Sequence, residues 1–491
     1  MSILIIALTL SLLYLVYVVP VESIPPAIEA ATLLDVSHPS TVPLRRSTTE
    51  GPSIRQGWVS QPDGRGSFNI IWNCVVTIFL CSWTVLCLNL PAPGDTEWGN
   101  FRRKCYLASL GIVGPEFILQ LSMGQWTSAC SSVKEFRRSG YDQWTMSHAF
   151  LADMGGFTLH TPDWPPFPLN SKQLHYLVIN KYIEYPEVNK KDIADKNKND
   201  GFARVLTVLQ TLWFFLDCVG RGAQGLELTT FELTALSFIL CTLGTWFFWA
   251  HKPSDVGTGL SVHTDVTIAQ ILLNAGDDAR DPYHNTPLDF VSRKNWSWNL
   301  YWSFWMNILR KMGISFAPKV RPINRIPNDN FPELSLPMMF VLFLFQSTFA
   351  AIHFVGWNLW FPSRPEQWLW RASTCVIMGS VIVTWFVHMC TLGLAGALGK
   401  CLARRPPGEK TPQHWIGTRH VHRIANRLRN NSADRDPAFN VSLRTLVPVT
   451  FAAAVYCFAR AYFLVENVAG LRAQPESTYA TVEWFDFVPH L

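Results

Sequence analysis

Long apolar runs with almost no charge dominate this chain and limit what it can become. A helix of about 20 apolar residues spans a hydrocarbon core of about 30 Å. Runs of that kind occupy Asn69–Leu90, Val205–Arg221, Phe231–Trp249, Leu336–Trp357, Ala372–Leu398 and Leu446–Val465. The second is short and carries Asp217. A further run, Tyr106–Trp126, is interrupted by Gly114-Pro115-Glu116. Proline followed by a carboxylate suits a broken or re-entrant helix better than a clean crossing. The expected fold is all-α, a multi-pass transmembrane helical bundle with cytosolic loops.

Composition excludes a string of soluble domains. Only 16% of the 491 residues are charged, against about 25% in soluble proteins. Hydrophobic residues reach 48%, and the 21 Trp and 32 Phe exclude disorder along most of the length. A net charge of +5 is too small for a nucleic-acid partner. The expected partners are the lipid bilayer and a lipophilic small molecule. Of the 11 Cys, eight fall in apolar runs and none forms a C-x-x-C pair, so neither a disulfide framework nor a metal site is expected. No cofactor motif is present.

The first segment, 1–23, is apolar from Ile3 to Val19 and reads as a signal peptide or signal anchor. Residues 24–68, rich in Pro, Ser and Thr, read as a flexible lumenal arm. Residues 69–250 form a first membrane region with a cytosolic insertion at 127–203, and 335–466 form a second. The loop 399–444 between two spans holds ten Lys or Arg against three acids, which places it in the cytoplasm. Arg102, Arg103 and Lys104, and the bases from Arg310 to Arg325, fall on the same side if Tyr106–Trp126 does not cross. The tail 467–491 then lies in the lumen. The expected location is a membrane of the secretory pathway.

In the loop 251–334, a helix over 296–311 places Trp298, Tyr301, Trp302 and Trp305 on one face and Asn299, Ser303 and Asn307 on the other. Such a helix suits a membrane interface, or packs a small cytosolic lobe. No internal repeat is evident, which weakens an inverted-repeat transporter.

Candidate chemistry is sparse. Gly220-Arg221-Gly222-Ala223-Gln224-Gly225 matches a dinucleotide fingerprint in letters, but follows a helix instead of a strand. Asp277-Asp278-Ala279-Arg280-Asp281 matches the pattern by which isoprenoid-diphosphate enzymes bridge metal ions. With Pro282 next and no second motif, an acidic turn is expected. His148 and Asp153 lie close enough in sequence for acid–base work, though a capping role explains Asp153 equally well. The ionisable residues inside spans carry more weight, because charge in hydrocarbon turns inward or lines a cavity. These are Glu116, Asp217, Arg221, His353, His388, Arg460 and Glu466, with Glu227 and Glu232 bracketing a helix start. Either they bind a substrate or move a proton, or they pair across helices and fix packing. Asp217 and Arg221, four residues apart, are expected to pair. Sequons occur at Asn295, Asn430 and Asn440. All three fall in loops assigned to the cytoplasm, so none should carry glycan.

Several runs resemble a family of fungal multi-pass membrane proteins without assigned activity. They are Arg204–Leu206 with Gln210–Phe214, Leu228–Leu233, Trp249-Ala250-His251-Lys252-Pro253-Ser254-Asp255-Val256, Thr286–Phe290 and Tyr479–Trp484. The resemblance covers about residues 69–491 and carries over no catalytic residue. It implies a fungal origin and a loose association with secondary metabolism. The expected role is an accessory or tailoring protein acting on a lipophilic metabolite, with a transporter or a non-enzymatic anchor or receptor as alternatives.

Overall fold

The computed structural model describes residues 53–60, 64–188, 192–193, 201–281, 283–292, 297–312, 321–402, 430, 441 and 443–484. The expected leader at 1–23, the sequons at Asn295 and Asn440, and most of the basic loop 399–444 lie outside them. In chain order the elements are strand β1 (Ile54–Gln56), then helices α1 (Ser67–Trp83), α2 (Glu97–Val113), α3 (Pro115–Arg138) and α4 (Met146–Asp153). Strands β2 (Phe157–His160) and β3 (Phe167–Leu169) precede α5 (Ser171–Ile179), α6 (Gly201–Ala223) and α7 (Thr230–Phe248). There follow β4 (Leu260–His263), α8 (Ile268–Ala275), α9 (Ser297–Lys311), α10 (Leu336–Val355), α11 (Arg364–Leu402), α12 (Leu443–Ala469) and β5 (Ala473–Pro475).

Helix α7 is the hub. Thr229 caps it by accepting from the Glu232 N–H, and Glu232 reaches back to the Thr229 N–H. Nearly all of α7 is buried, against α1, α3, α10 and α12. The helices around it turn apolar side chains outward. Phe68, Trp72, Val75 and Phe79 form such a stripe on α1, and Val205, Leu209, Leu212 and Leu216 form one on α6. Water does not favour a ring of exposed apolar stripes of this extent; hydrocarbon does. Among the described residues four helices are long and apolar enough to cross a membrane, and five if the bent α2–α3 pair counts as one span. They match the runs expected at Phe231–Trp249, Leu336–Trp357, Ala372–Leu398 and Leu446–Val465.

The expected span Asn69–Leu90 is shorter than its apolar run. Helix α1 has 17 residues and stops at Trp83. Val85 lies in a turn, and Leu86, Cys87 and Leu90 follow outside any helix or strand, buried in protein. Helix α6 is not among the long apolar helices either.

The interrupted run forms a hairpin of helices. Helices α2 and α3 meet at Gly114 with a bend of 114°. Pro115 occupies the first turn of α3, where its missing N–H costs nothing. Gly114 is required by close approach, since a Cβ there would sit 2.7 Å from Cδ2 of Phe117. Both outer ends of the hairpin lie at one end of the bundle. Asp95, just before α2, binds Arg103 at 2.6 Å and Arg325 at 2.9 Å. Despite partial burial, the Ala92 N–H and these two guanidiniums hold its carboxyl below the usual range. The far end of α3 packs on α4 and α5.

The chain is not purely helical. A three-stranded sheet of order β3-β2-β4, with β2 and β4 parallel, sits at that same end. Its strands are three or four residues long and the β2–β4 pair is far apart in sequence, so no period of two could reveal it. At the opposite end β1 pairs antiparallel with β5. Ser53 and Arg55 bind the Glu476 carboxylate, and Arg55 followed by Ser53 holds it below its ordinary pKa. Residues 53–60 of the expected flexible arm are therefore tied to the tail, by pairing that local composition cannot show.

Aromatic clusters mark both ends. At the sheet end Trp83, Trp98 and Phe101 stack together with Lys104 over Trp83 at 5.0 Å. At the β1 end Arg371 lies over Trp357 and Trp368, and Trp213 meets Trp484. Helix α9 departs from its expected lipid-facing role. Its Trp face turns inward, with Trp298 against Phe117 at 6.1 Å and Trp302 against Phe331 at 5.6 Å. Trp302 donates to Asp329 and Trp305 to Thr450, and these bonds fix the face.

Candidate functional site

The break between α2 and α3 places a carboxylate in the middle of the bundle. Glu116 is 4% exposed, and the Tyr456 hydroxyl donates to its Oε1. One turn along α12, Arg460 is 1% exposed. Its Nε donates to the Val113 carbonyl at 2.9 Å, one of the carbonyls a helix end leaves unfilled. The guanidinium lies over the rings of Phe349 at 5.2 Å and Phe238 at 5.7 Å. His353 on α10 is fully buried and stacks on Phe463, with ring centres 4.7 Å apart. Its Nδ1 meets the Phe349 carbonyl at 3.0 Å, which assigns the proton to Nδ1.

Among the described residues, four polar groups in this centre have no hydrogen-bond partner. They are Nη1 and Nη2 of Arg460, Oε2 of Glu116 and Nε2 of His353. Orphaned buried polar atoms are rare because each costs about 1–3 kcal/mol. A narrow cleft adjoins the break, lined by Cys81, Gly111, Pro115, Ile118, Cys241 and Thr242. Phe117 closes the side toward α9, edge-on to Tyr456 at 6.0 Å.

Glu116, His353 and Arg460 thus come together from three sequence regions. Tyr456 was not foreseen; only its one-turn spacing from Arg460 could have drawn attention to it. Glu466, toward the β1 end of α12, meets Tyr462 at 3.2 Å. His388 lies apart, edge-on to Trp385 at 6.2 Å.

The expected Asp217–Arg221 pair does not form. Arg221 turns away and donates to the carbonyls of Ala480, Glu227, Thr478 and Ser477, at 2.7 to 3.1 Å. Asp217 instead faces Arg65 at 3.9 Å, and Arg65 forms an ion pair with Glu232. Burial opposes the Arg65 charge, but Glu232 and Asp217 outweigh it and hold the guanidinium protonated. Sequence spacing brought Asp217 and Arg221 onto one face, yet three backbone carbonyls from the tail and that of Glu227 satisfy Arg221 better. Arg65 lay in the segment assigned to a flexible arm.

A further buried cation, Lys252, stands at the sheet end. Lys252 Nζ donates to the Cys87 carbonyl at 2.8 Å and to Gln125 Oε1 at 2.9 Å, over the Trp249 ring. Burial pushes its pKa down to about 8. Nearby, Cys87 Sγ and Ser254 Oγ are 3.0 Å apart, and Arg204 donates to Ser254 at 2.9 Å. Lys252 ties α1's extension, α3 and the chain after α7 into one joint.

The remaining candidates lie outside this centre. His148 completes a capping box with Thr145 and reaches the Val188 carbonyl at 2.7 Å. Asp153 accepts from Ser128 and from the Ser171 N–H, and burial holds its carboxyl above the usual range. The two do not meet. Asp277, Asp278 and Asp281 form an exposed turn after α8. Among the described residues no cluster could hold a metal ion. Gly220–Gly225 ends α6 in a turn, with Gly225 at φ +67°. Asn430 is buried.

Residues 42–275, somewhat under half of the chain, match a family of unknown function (DUF8562). Comparison with curated proteins and with solved structures found no match.

Proposed function

We propose that this chain is a multi-pass membrane protein of the secretory pathway that handles a lipophilic small molecule at the centre formed by Glu116, Tyr456, Arg460 and His353. The observation behind this reading is the set of four unfilled polar groups deep among apolar helices. In this centre the open donors and acceptors converge from three helices, α3, α10 and α12, whereas a filled network would leave none. Ligand sites combine apolar walls with a few convergent polar groups.

The membrane setting draws support from the outward apolar stripes and from aromatic clusters at both ends, which suit two lipid–water interfaces. The sheet end is assigned to the cytoplasm, because the basic loop 399–444 and Arg102–Lys104 belong to that side. The β1 end and its clasp face the lumen. An accessory or tailoring role in fungal secondary metabolism agrees with the resemblance of residues 69–491. Transport is the second reading, favoured by one feature: a broken helix hairpin whose tip meets a buried charge.

Gene deletion with metabolite profiling tests this role. Re-expression of the wild type should restore the lost or altered metabolite, and Arg460→Gln with Glu116→Gln at equal expression should not. Full restoration by the double variant rejects the centre as the working site. Flux of the affected metabolite into sealed vesicles would instead favour transport.

A further inference from the structure

We infer that Arg460 receives the carboxylate of a lipophilic acid, and that the class of molecule handled here is amphiphilic carboxylic acids. This rests on the reading that the centre handles a lipophilic molecule. The guanidinium has already used Nε to cap Val113, and its two outer amino groups point their donors at no acceptor. Those two groups form a planar fork, which a carboxylate fills with two parallel bonds.

The neighbours select the rest of the molecule. Phe238 and Phe349 cover the guanidinium with apolar rings, so a ligand group arriving there leaves water behind. The carboxylate of Glu116 is committed on one oxygen to Tyr456, and no ion pair joins it to Arg460 among the described residues. The cation therefore lacks a directly bound anion. His353 presents Nε2 as an unfilled acceptor, suited to a hydroxyl on the same ligand. Among the described residues the centre does not offer the many donors that a phosphate needs, which favours the smaller, planar carboxylate.

The test uses the full chain in nanodiscs with radiolabelled palmitic acid as probe and methyl palmitate and hexadecanol as competitors. Wild type should bind the acid about tenfold more tightly than either neutral competitor. Arg460→Gln should erase that preference. Because loss of one buried charge can prevent folding, Glu116→Gln with Arg460→Gln is measured as well; it removes both charges and should also lack the preference. Equal binding of acid, ester and alcohol by wild type overturns the acid inference and leaves the lipophilic reading standing. Absence of binding by all three overturns both. A tenfold preference that survives in the double variant assigns the carboxylate to another residue and rejects Arg460.

Discussion

Arg460 Nε donates to the carbonyl of Val113 at 2.9 Å, so a cation on the last long helix caps a helix that breaks inside the bundle. The contact lets a chain terminate α2 in an apolar interior, and it fixes where the rest of the guanidinium stands. The geometry of the break decides whether the centre exists.

Gly114→Ala tests the break. Its Cβ would lie 2.7 Å from Phe117 and 3.0 Å from Glu116 Oε1, so the tip must shift. A loss of about 1–3 kcal/mol is expected, the range for overpacking. Gly379→Ala, whose Cβ meets nothing within 4 Å, is the control and should not lower thermal stability. Equal melting temperatures for the two variants would remove the steric account.

The four carbonyls held by Arg221 make a second prediction. Arg221→Leu strips four carbonyls of their donor. It should cost about 3 kcal/mol or more, since each buried orphan costs about 1–3 kcal/mol. Adding Asp217→Leu should not restore stability, because Asp217 faces Arg65. Rescue in a thermal melt would reinstate the Asp217–Arg221 pair.

A pH dependence follows from Lys252. Its folded pKa of about 8 lies below the ordinary 10.5. Between those values the unfolded chain binds the extra proton, so stability rises with pH across that window. Lys252→Met should lose this rise, although it starts from lower stability. Parallel curves for wild type and variant from pH 8 to 10 would show that another group carries the effect.

Glycosidase treatment probes orientation. Asn295, Asn430 and Asn440 belong to segments assigned to the cytoplasm, so the wild-type mass should not change. A shift abolished by Asn440→Gln would reverse the sidedness of the bundle.

Much of the bundle was legible because four of its helices carry about 20 apolar residues each, and the Gly114-Pro115-Glu116 interruption marked the hairpin. The end of α1 at Trp83 was not, because Val85 to Leu90 are as apolar as a span and hide in protein instead of lipid. The β1–β5 and β2–β4 pairings join distant residues that have no local signature. Within the site, Glu116, His353 and Arg460 stood out as charge or imidazole in hydrocarbon. Their meeting depends on how α3, α10 and α12 pack, which one sequence does not state. Spacing misled at Arg221, where a helical neighbour lost to carbonyls more than 250 residues away.

Native mass spectrometry of the full chain, released gently from membranes, tests the central claim most directly. Wild type should carry one equivalent of a lipophilic small molecule. The Glu116→Gln with Arg460→Gln variant, folded and expressed at the same level, should be free of it. An unliganded wild type, or a variant that retains the same bound mass, would contradict the account.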